Sequence, residues 1–320
     1  VSPILPFSRP EYNLYRREHA GRISISGVQS KYSLKLQGTT LELTEKGGEY
    51  ILKPFVPGEF ENMPAMPANE HVTMQMAQQV FKLKTAENAL VFFQGEDAPA
   101  FLTKRFDVIA DGTRLLQEDF AQIAGVSEET HGKSYKYDCS YERIAVLMKN
   151  HVSAYAVEVE KFFKLVVFNY LVHNGDAHLK NFSLCRDPVL NAYILTPAYD
   201  LLNTRMHLPK ESACALDLFE SDFETESFKV NGFYARDDFF EFGSRIGIRQ
   251  KRVHRFLDEF TSHESEMAAM LDISYLDDPL KARYKEMIKE RIRALRYGFV
   301  MIKTDEKSSV PKTDSIKKLH

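Results

Sequence analysis

Apolar residues recur at every second position between residues 22 and 53: Ile23, Ile25, Leu34, Leu36, Leu41, Leu43, Tyr50 and Leu52. Turn chemistry falls at Gly38 and at Gly47 and Gly48. Period two puts alternate side chains on one face, so the stretch predicts half-buried strands joined by tight turns. After the segment around Pro64 and Pro67 the period lengthens, predicting a helix over 69–81, and two further strands follow over 89–93 and 100–106. A sheet with one inserted helix is an α+β small lobe.

Beyond Asp107 the pattern becomes helical, with helices predicted over 141–149, 158–173, 235–246, 250–271 and 277–302. The last carries Leu280, Tyr284, Met287, Ile288, Ile292, Leu295 and Phe299 at helical spacing, a packing stripe. The run over 160–173 is apolar on nearly every side, as the central buried helix of a lobe would be. Lys164 and Asn169 interrupt it, and it is too short to cross a bilayer. From Lys303 the chain is rich in Lys, Ser and Thr, which predicts a loose tail. The expected organisation is a β-rich lobe over 1–106, a helical lobe over 107–303 and a tail over 304–320.

Composition changes this picture little. A chain of 320 residues, 44% apolar and 27% charged, has ample core without disulfides or metals. A formal charge of −3 and a pI near 6.4 advertise no basic field, so nucleic acid is not expected as a direct substrate. Cys139, Cys185 and Cys214 are widely spaced, imply no disulfide framework or zinc site, and suit a reducing cytoplasm. No signal-peptide pattern opens the chain, and because it begins with Val a few upstream residues are expected to be missing.

Candidate chemistry changes the picture more. In His173-Asn174-Gly175-Asp176-Ala177-His178-Leu179-Lys180-Asn181 an Asp precedes an Asn by five positions, after a helix and before a strand. Phosphoryl-transfer enzymes of the protein-kinase type build their catalytic loop this way: the carboxylate orients the attacking hydroxyl and the amide oxygen holds magnesium. Two strand-like runs, 182–185 and 192–195, then lead to Asp200, a second acid able to share the metal. Alone, the pair also reads as a loop Asp in an Asx-turn. The order of parts excludes a doubly wound fold, and neither GxGxxG nor GxxxxGK[ST] is present.

In the small lobe, Lys53 ends a strand where a lysine would pair ATP phosphates, and Glu70 in the next helix is the natural acid to hold it. The plainer reading is a strand-edge lysine and a glutamate favoured by a helix N-terminus. The segment 22–31, with Gly27, could cradle phosphates and place the hydroxyls of Ser24 and Ser26 near the γ-phosphate, or it is simply a β-turn. Extended backbone over 101–107 could pair with adenine and Asp107 with ribose; otherwise it is a strand ending in a charged turn.

Together these residues resemble the HipA-like serine/threonine kinases, the toxin components of bacterial toxin–antitoxin systems. The motifs are Arg22-Ile23-Ser24-Ile25-Ser26-Gly27-Val28-Gln29, Ile51-Leu52-Lys53-Pro54, Lys104-Arg105-Phe106-Asp107, Gln117-Glu118-Asp119-Phe120, Asp176-Ala177-His178-Leu179-Lys180-Asn181-Phe182-Ser183 and Tyr199-Asp200, in the family's order. The resemblance implies a two-lobed protein-kinase-like α+β fold with a β-rich N-lobe and a helical C-lobe. It implies Asp176 as catalytic base, Asn181 and Asp200 as Mg²⁺ ligands, and Lys53 on the ATP phosphates. Lys104 and Phe106 would meet adenine through their backbone, with Asp107 at the ribose and Gln117 and His178 lining the site. Ser24 matches the family's autophosphorylated serine, and Ser26 adds a second candidate.

Asp200 is followed by Leu201-Leu202 rather than Phe-Gly, and His173 stands three residues before Asp176; both features are shared by HipA-like enzymes. With only about twenty residues before the Arg-Ile-Ser segment, the chain resembles the short form, HipT. The missing subdomain would be a separate small protein, HipS, beside a DNA-binding antitoxin, HipB. The substrate implied is an aminoacyl-tRNA synthetase, with DNA reached only through the antitoxin. Two alternatives stand beside this reading. One is a small-molecule kinase of the aminoglycoside-phosphotransferase type, with Asp217, Glu220, Asp222, Glu224 and Glu226 as an acidic pocket. The other is a kinase fold used as a scaffold.

Overall fold

The structure is a computed structural model that describes residues 2–18, 31–55, 58 and 60–298. Ser24, Ser26 and Gly27 lie outside the described residues, as does the chain from 299 onward.

Helix α1 (Arg9–Glu18) precedes β1 (Tyr32–Gln37), β2 (Thr40–Leu43) and β3 (Tyr50–Lys53). Helix α2 (Met66–Gln79) leads to β4 (Asn88–Phe92) and β5 (Pro99–Lys104), completing an antiparallel sheet of order β2-β1-β3-β5-β4. The β1–β2 hairpin turns at Gly38, whose φ of 61° is left-handed backbone that favours glycine. Helix α2 begins three residues earlier than its periodicity predicts, because Pro67 in its first turn is tolerated where no backbone donor is needed.

The sheet's two faces serve different cores. Leu34, Leu52, Ala100 and Leu102 pack with Leu5, Tyr12 and Phe93 on the α1 side. Phe101, one position out of phase with Ala100 and Leu102, turns the other way and joins α2. Helix α2 in turn shares one continuous core with the helical lobe, so the apolar interior runs across the sequence boundary near residue 106.

After β5 come β6 (Gln117–Asp119), α3 (Phe120–Ala124), α4 (Glu128–His131), α5 (Tyr141–His151) and α6 (Tyr155–Leu171). Strands β7 (Ser183–Asp187) and β8 (Ala192–Leu195) form the expected hairpin and add β6 to make a second antiparallel sheet, β6-β7-β8. Helix α6 is the buried axis of the lobe, with Phe162, Phe163 and every residue from 165 to 171 buried. The lobe closes with α7 (Glu226–Asn231), α8 (Arg236–Arg245), α9 (Gln250–Ser262), α10 (Glu264–Asp272) and α11 (Asp278–Arg296). The single helix expected over 250–271 is thus two. The break falls at His263, and α10 restarts with Glu264 and Glu266 in its first turn, where acids suit the helix dipole.

No helix among the described residues is long and apolar enough to cross a membrane.

Candidate active site

Lys53 is not a strand-edge lysine. Its strand lies between β1 and β5, and the residue is 3% exposed, facing Phe101 with Nζ 5.3 Å from the ring centre. A buried ammonium needs partners. Lys53 Nζ donates to Glu70 Oε1 on α2 and to Asp200 Oδ1 beyond β8. Lys31 Nζ adds a second ammonium 3.1 Å from Asp200 Oδ2. Burial alone would raise the Asp200 carboxyl, but Lys31 and Lys53 outweigh it and hold the group ionised, well below the usual carboxylate range. Burial likewise works against the Lys53 ammonium, and Asp200 and Glu70 overcome it. Glu70 is pushed up by burial against the pull of Lys53. Asp200 has φ 54°, a left-handed conformation that Asp tolerates better than most residues.

The second group stands on the loop after α6. His173 turns the chain with φ 55°, its Nε2 against the Met287 carbonyl of α11 at 2.8 Å. Asn174 is buried and bridges the two acidic segments. Its Oδ1 accepts from the Asp176 N–H at 3.3 Å, and its Nδ2 donates to the Asp200 carbonyl at 3.4 Å and to Asn169 Oδ1 at 2.9 Å. The asparagine that interrupts α6 is therefore a support for the loop. At Gly175 a Cβ would meet the Ser212 carbonyl and the Glu211 side chain at 2.6 Å, so only glycine lets that segment approach. Thr204 closes the arrangement, accepting from the Gly175 N–H at 2.8 Å and donating to Glu211 Oε2.

The Asp176 carboxylate is half-exposed at the surface of this frame. His178 Nε2 lies 3.7 Å and Lys136 Nζ 3.9 Å from Asp176 Oδ1, and the Tyr137 hydroxyl donates to the same oxygen. His178 is buried, and burial lowers its imidazole to about 4 against the pull of Asp176, so it is neutral at pH 7. Its Nδ1 is buried without a hydrogen-bond partner among the described residues. Asn181 turns its amide back, Oδ1 accepting from the His178 N–H at 3.2 Å. Beside Asp176, burial raises Glu211 to about 7, with Asp176 adding to the rise and Thr204 opposing it.

A third group lies where the first sheet gives way to the helical lobe. Phe106 stacks on Tyr199 with ring centres 5.7 Å apart. The Tyr199 hydroxyl bridges the Lys180 carbonyl at 2.9 Å and Ser183 Oγ at 2.5 Å, and Gln117 Nε2 donates to the same Ser183 oxygen at 3.2 Å. Gln117, the Asp176 loop and the residue preceding Asp200 are thereby tied into one network. Lys104 and Asp107 are already engaged. The Lys104 N–H donates to the Glu87 carbonyl at 2.8 Å, and Arg105 holds the buried Asp107 carboxylate from two nitrogens. The N–H groups of Phe106 and Asp107 make no backbone hydrogen bond among the described residues.

The structure therefore joins Lys53, Glu70 and Asp200 directly, joins Asp176, His178 and Asn181 in one loop, and couples the two sets through Asn174. Lys31, Tyr137, Asn174, Tyr199 and Glu211 are further members of the site. Tyr199 and Asn174 both lie within runs quoted from the sequence, 199–200 and 173–181. Lys31, Tyr137 and Glu211 come from distant segments, and no spacing in the sequence connects them to Asp176 or Asp200. The acids over 217–226 are partly paired elsewhere: Asp217 with the Tyr234 hydroxyl at 3.4 Å, Glu220 with Arg143 at 3.9 Å and Glu226 with Lys229 at 3.0 Å.

A family model described as the HipA-like C-terminal domain matches residues 23–267, more than half of the chain. The chain belongs to the HipA-like C-terminal domain family. Among curated relatives, a presumed kinase from Haemophilus influenzae is 28% identical over 292 residues, 87% of this chain and 83% of that protein. The serine/threonine-protein kinase toxin HipA of Shewanella oneidensis is 28% identical over 234 residues, 67% of this chain but only 49% of the toxin. In fold, the chain matches one from the solved Shewanella complex of HipA, HipB and operator DNA with a TM-score of 0.68 at 22% identity, covering 97% of this chain and 76% of that one. It matches the Helicobacter pylori proinflammatory kinase CtkA with a TM-score of 0.52 at 15% identity, covering 85% and 93%. These likenesses establish the two-lobed, kinase-like α+β fold, and the family model bears out the HipA-like resemblance of the motifs.

Proposed function

We propose that this HipA-like chain is an ATP-dependent serine/threonine protein kinase and the toxin of a bacterial toxin–antitoxin system acting in the cytoplasm. The observation that carries the reading is the Lys53–Glu70–Asp200 cluster, which joins the small lobe's lysine to the acid that follows the Asp176 loop. An ion pair between a strand lysine and a helix acid, with a second acid from the other lobe, is how kinases hold ATP phosphates and metal.

In this reading Asp176 orients the acceptor hydroxyl and takes its proton. Lys53, positioned by Glu70, contacts the ATP phosphates. Lys104 and Phe106 meet adenine through their backbone, with Asp107 at the ribose, Gln117 and His178 lining the site and Gly27 in the phosphate loop. Asn181 and Asp200 offer oxygen donors, one of them held ionised, and such a set fits Mg²⁺. Bound there, Mg²⁺ would neutralise phosphate charge. Lys31 and Lys53 already neutralise Asp200, so the metal and these ammonium groups would share or compete for its oxygens.

The expected partners are a HipB-like DNA-binding antitoxin, a HipS-like small protein and an aminoacyl-tRNA synthetase as substrate. Self-phosphorylation is expected at Ser24 or Ser26. Phosphate there would add nearly two negative charges where ATP phosphates bind and lower activity. The test is intact-mass spectrometry and phosphopeptide mapping after incubation with Mg-ATP, alone and with each synthetase. Phosphate on Ser24 or Ser26 and on a serine of one synthetase is the expected result. Transfer to an aminoglycoside and to no protein would overturn the reading.

A further inference from the structure

Tyr137 lies in a short 3₁₀ turn, Tyr135–Tyr137, between two capped helices. Ser127 caps α4, Ser140 caps α5, and the chain between them is pinned at both ends. The turn's own backbone bonds are local: Tyr135 N–H to the Gly132 carbonyl at 3.2 Å and Tyr137 N–H to the Ser134 carbonyl at 2.8 Å. Tyr135 and Cys139 anchor the segment by packing against the core. Tyr137 instead points at the loop after α6. Its hydroxyl donates to Asp176 Oδ1, and its ring meets His178 edge-on with centres 5.2 Å apart. Lys136 steadies it, with Nζ 4.8 Å from the Tyr137 ring centre and 3.9 Å from Asp176 Oδ1.

In the kinase reading, on which this inference rests, Asp176 is the group that receives the acceptor's hydroxyl. That place is filled here by a hydroxyl of the chain itself. We propose that Tyr137 holds the acceptor's position on Asp176, so that water is kept from the base and only an acceptor able to displace the tyrosine is phosphorylated. Burial, with Asp176 adding to it, pushes the Tyr137 phenol up, so it keeps its proton and remains a donor at neutral pH. Tyr137 is 40% exposed, so rotation of this one side chain would free Asp176 without unfolding the turn.

Where water does enter, its oxygen bonds to the γ-phosphorus, the bond to the bridging oxygen of ADP breaks, and a proton passes to Asp176. Acceptor-free ATP hydrolysis therefore reports directly on the barrier. A hydroxyl bonded to a charged group is among the stronger hydrogen bonds, and losing it should raise hydrolysis by Tyr137→Phe about tenfold. Tyr137→Ala should raise it further, because the ring goes too. The Phe variant keeps the ring packing and guards against a folding artefact.

The assay measures ADP release with Mg-ATP and no protein substrate for the wild type, both variants, and each combined with Asp176→Asn. Graded rises that Asp176→Asn abolishes are the expected result. Hydrolysis at or below wild type in both Tyr137 variants would overturn the proposal while leaving the kinase reading intact. So would phosphate found on Tyr137, which would make the ring a substrate and not a barrier. Hydrolysis that survives Asp176→Asn would instead overturn the assignment of Asp176 itself.

Discussion

Lys53 and Asp200 lie 147 residues apart in the chain, yet the ammonium of one donates to the carboxylate of the other. That contact joins the small sheet to the segment after β8. It also makes Lys53 the common partner of two acids, since the same nitrogen holds Glu70. The consequences for stability are asymmetric, because the side chains of Lys53 and Glu70 are only 4% and 2% exposed.

Removing the lysine leaves two carboxylates facing an apolar replacement. Breaking a buried pair from one side costs about 3–5 kcal/mol, and Lys53→Met should lose stability on that scale. Glu70→Gln should cost less, since the amide oxygen still accepts from Lys53, and Lys53 keeps Asp200. Chemical denaturation of the two variants measures the difference. A larger loss in Glu70→Gln would contradict the central place of Lys53. Nucleotide binding should follow the same order.

Asn174 makes a separate prediction. It bonds to the backbone of both Asp176 and Asp200 and to Asn169, and it touches neither carboxylate. Asn174→Ala should cost about 1–3 kcal/mol of stability through unsatisfied buried groups. It should also slow turnover by at least about tenfold, because a loop placed even slightly wrong loses much of the gain from orientation. Nucleotide affinity should change by no more than about a factor of two, since no phosphate contact is lost. Parallel measurement of kcat and nucleotide Kd separates this from a general loss of the site.

The buried histidines set an acid limit. Burial, reinforced by Arg291 and Arg205, lowers His173 to about 3 from an ordinary value of 6.5, and burial lowers His178 to about 4. Both are neutral when folded, whereas the unfolded chain binds protons below about pH 6.5. Their contribution is therefore complete above pH 6.5 and is lost as pH falls towards 4 and then 3. At pH 5 each should have cost about 2 kcal/mol. Asp200, also depressed, contributes only to a later loss, below its ordinary 3.8. Melting curves from pH 7.5 to 5 should show a falling Tm, with a shallower slope in His173→Gln combined with His178→Gln. An unchanged slope would contradict this account.

Much of the frame was legible because it is written in periodicity. The alternation around Leu34 and Leu52 predicted the sheet, and the apolar run over 160–173 predicted the axis of the helical lobe. Asp176, Asn181 and Asp200 were legible because their spacing encodes a loop and a hairpin. The pairing of α9 and α10 was not, since the apolar stripe continues through His263 while the backbone does not. Lys31, Tyr137 and Glu211 were hidden for a different reason. Lys31 ends the segment read as a phosphate cradle or a β-turn, Tyr137 and Glu211 lie in stretches that carry no motif, and only the packed core brings the three to the site. The surroundings of Lys104 and Asp107 were not legible either: the Glu87 carbonyl that takes the Lys104 N–H lies 17 positions back in the chain, and no pattern announces the Arg105 pair with Asp107.

The claim that phosphoryl transfer occurs between Asp176 and Asp200 is tested most directly by following the γ-phosphate of radiolabelled Mg-ATP. Wild type, Asp176→Asn and Asp200→Asn are compared at equal folded concentration, with nucleotide binding measured alongside. Asp176→Asn removes the base and should abolish transfer while nucleotide binding persists. Asp200→Asn removes a carboxylate that would hold the metal and partners Lys53 and Lys31, and it should abolish transfer and weaken Mg-ATP binding as well. Transfer within a factor of a few of wild type in either variant would contradict the account.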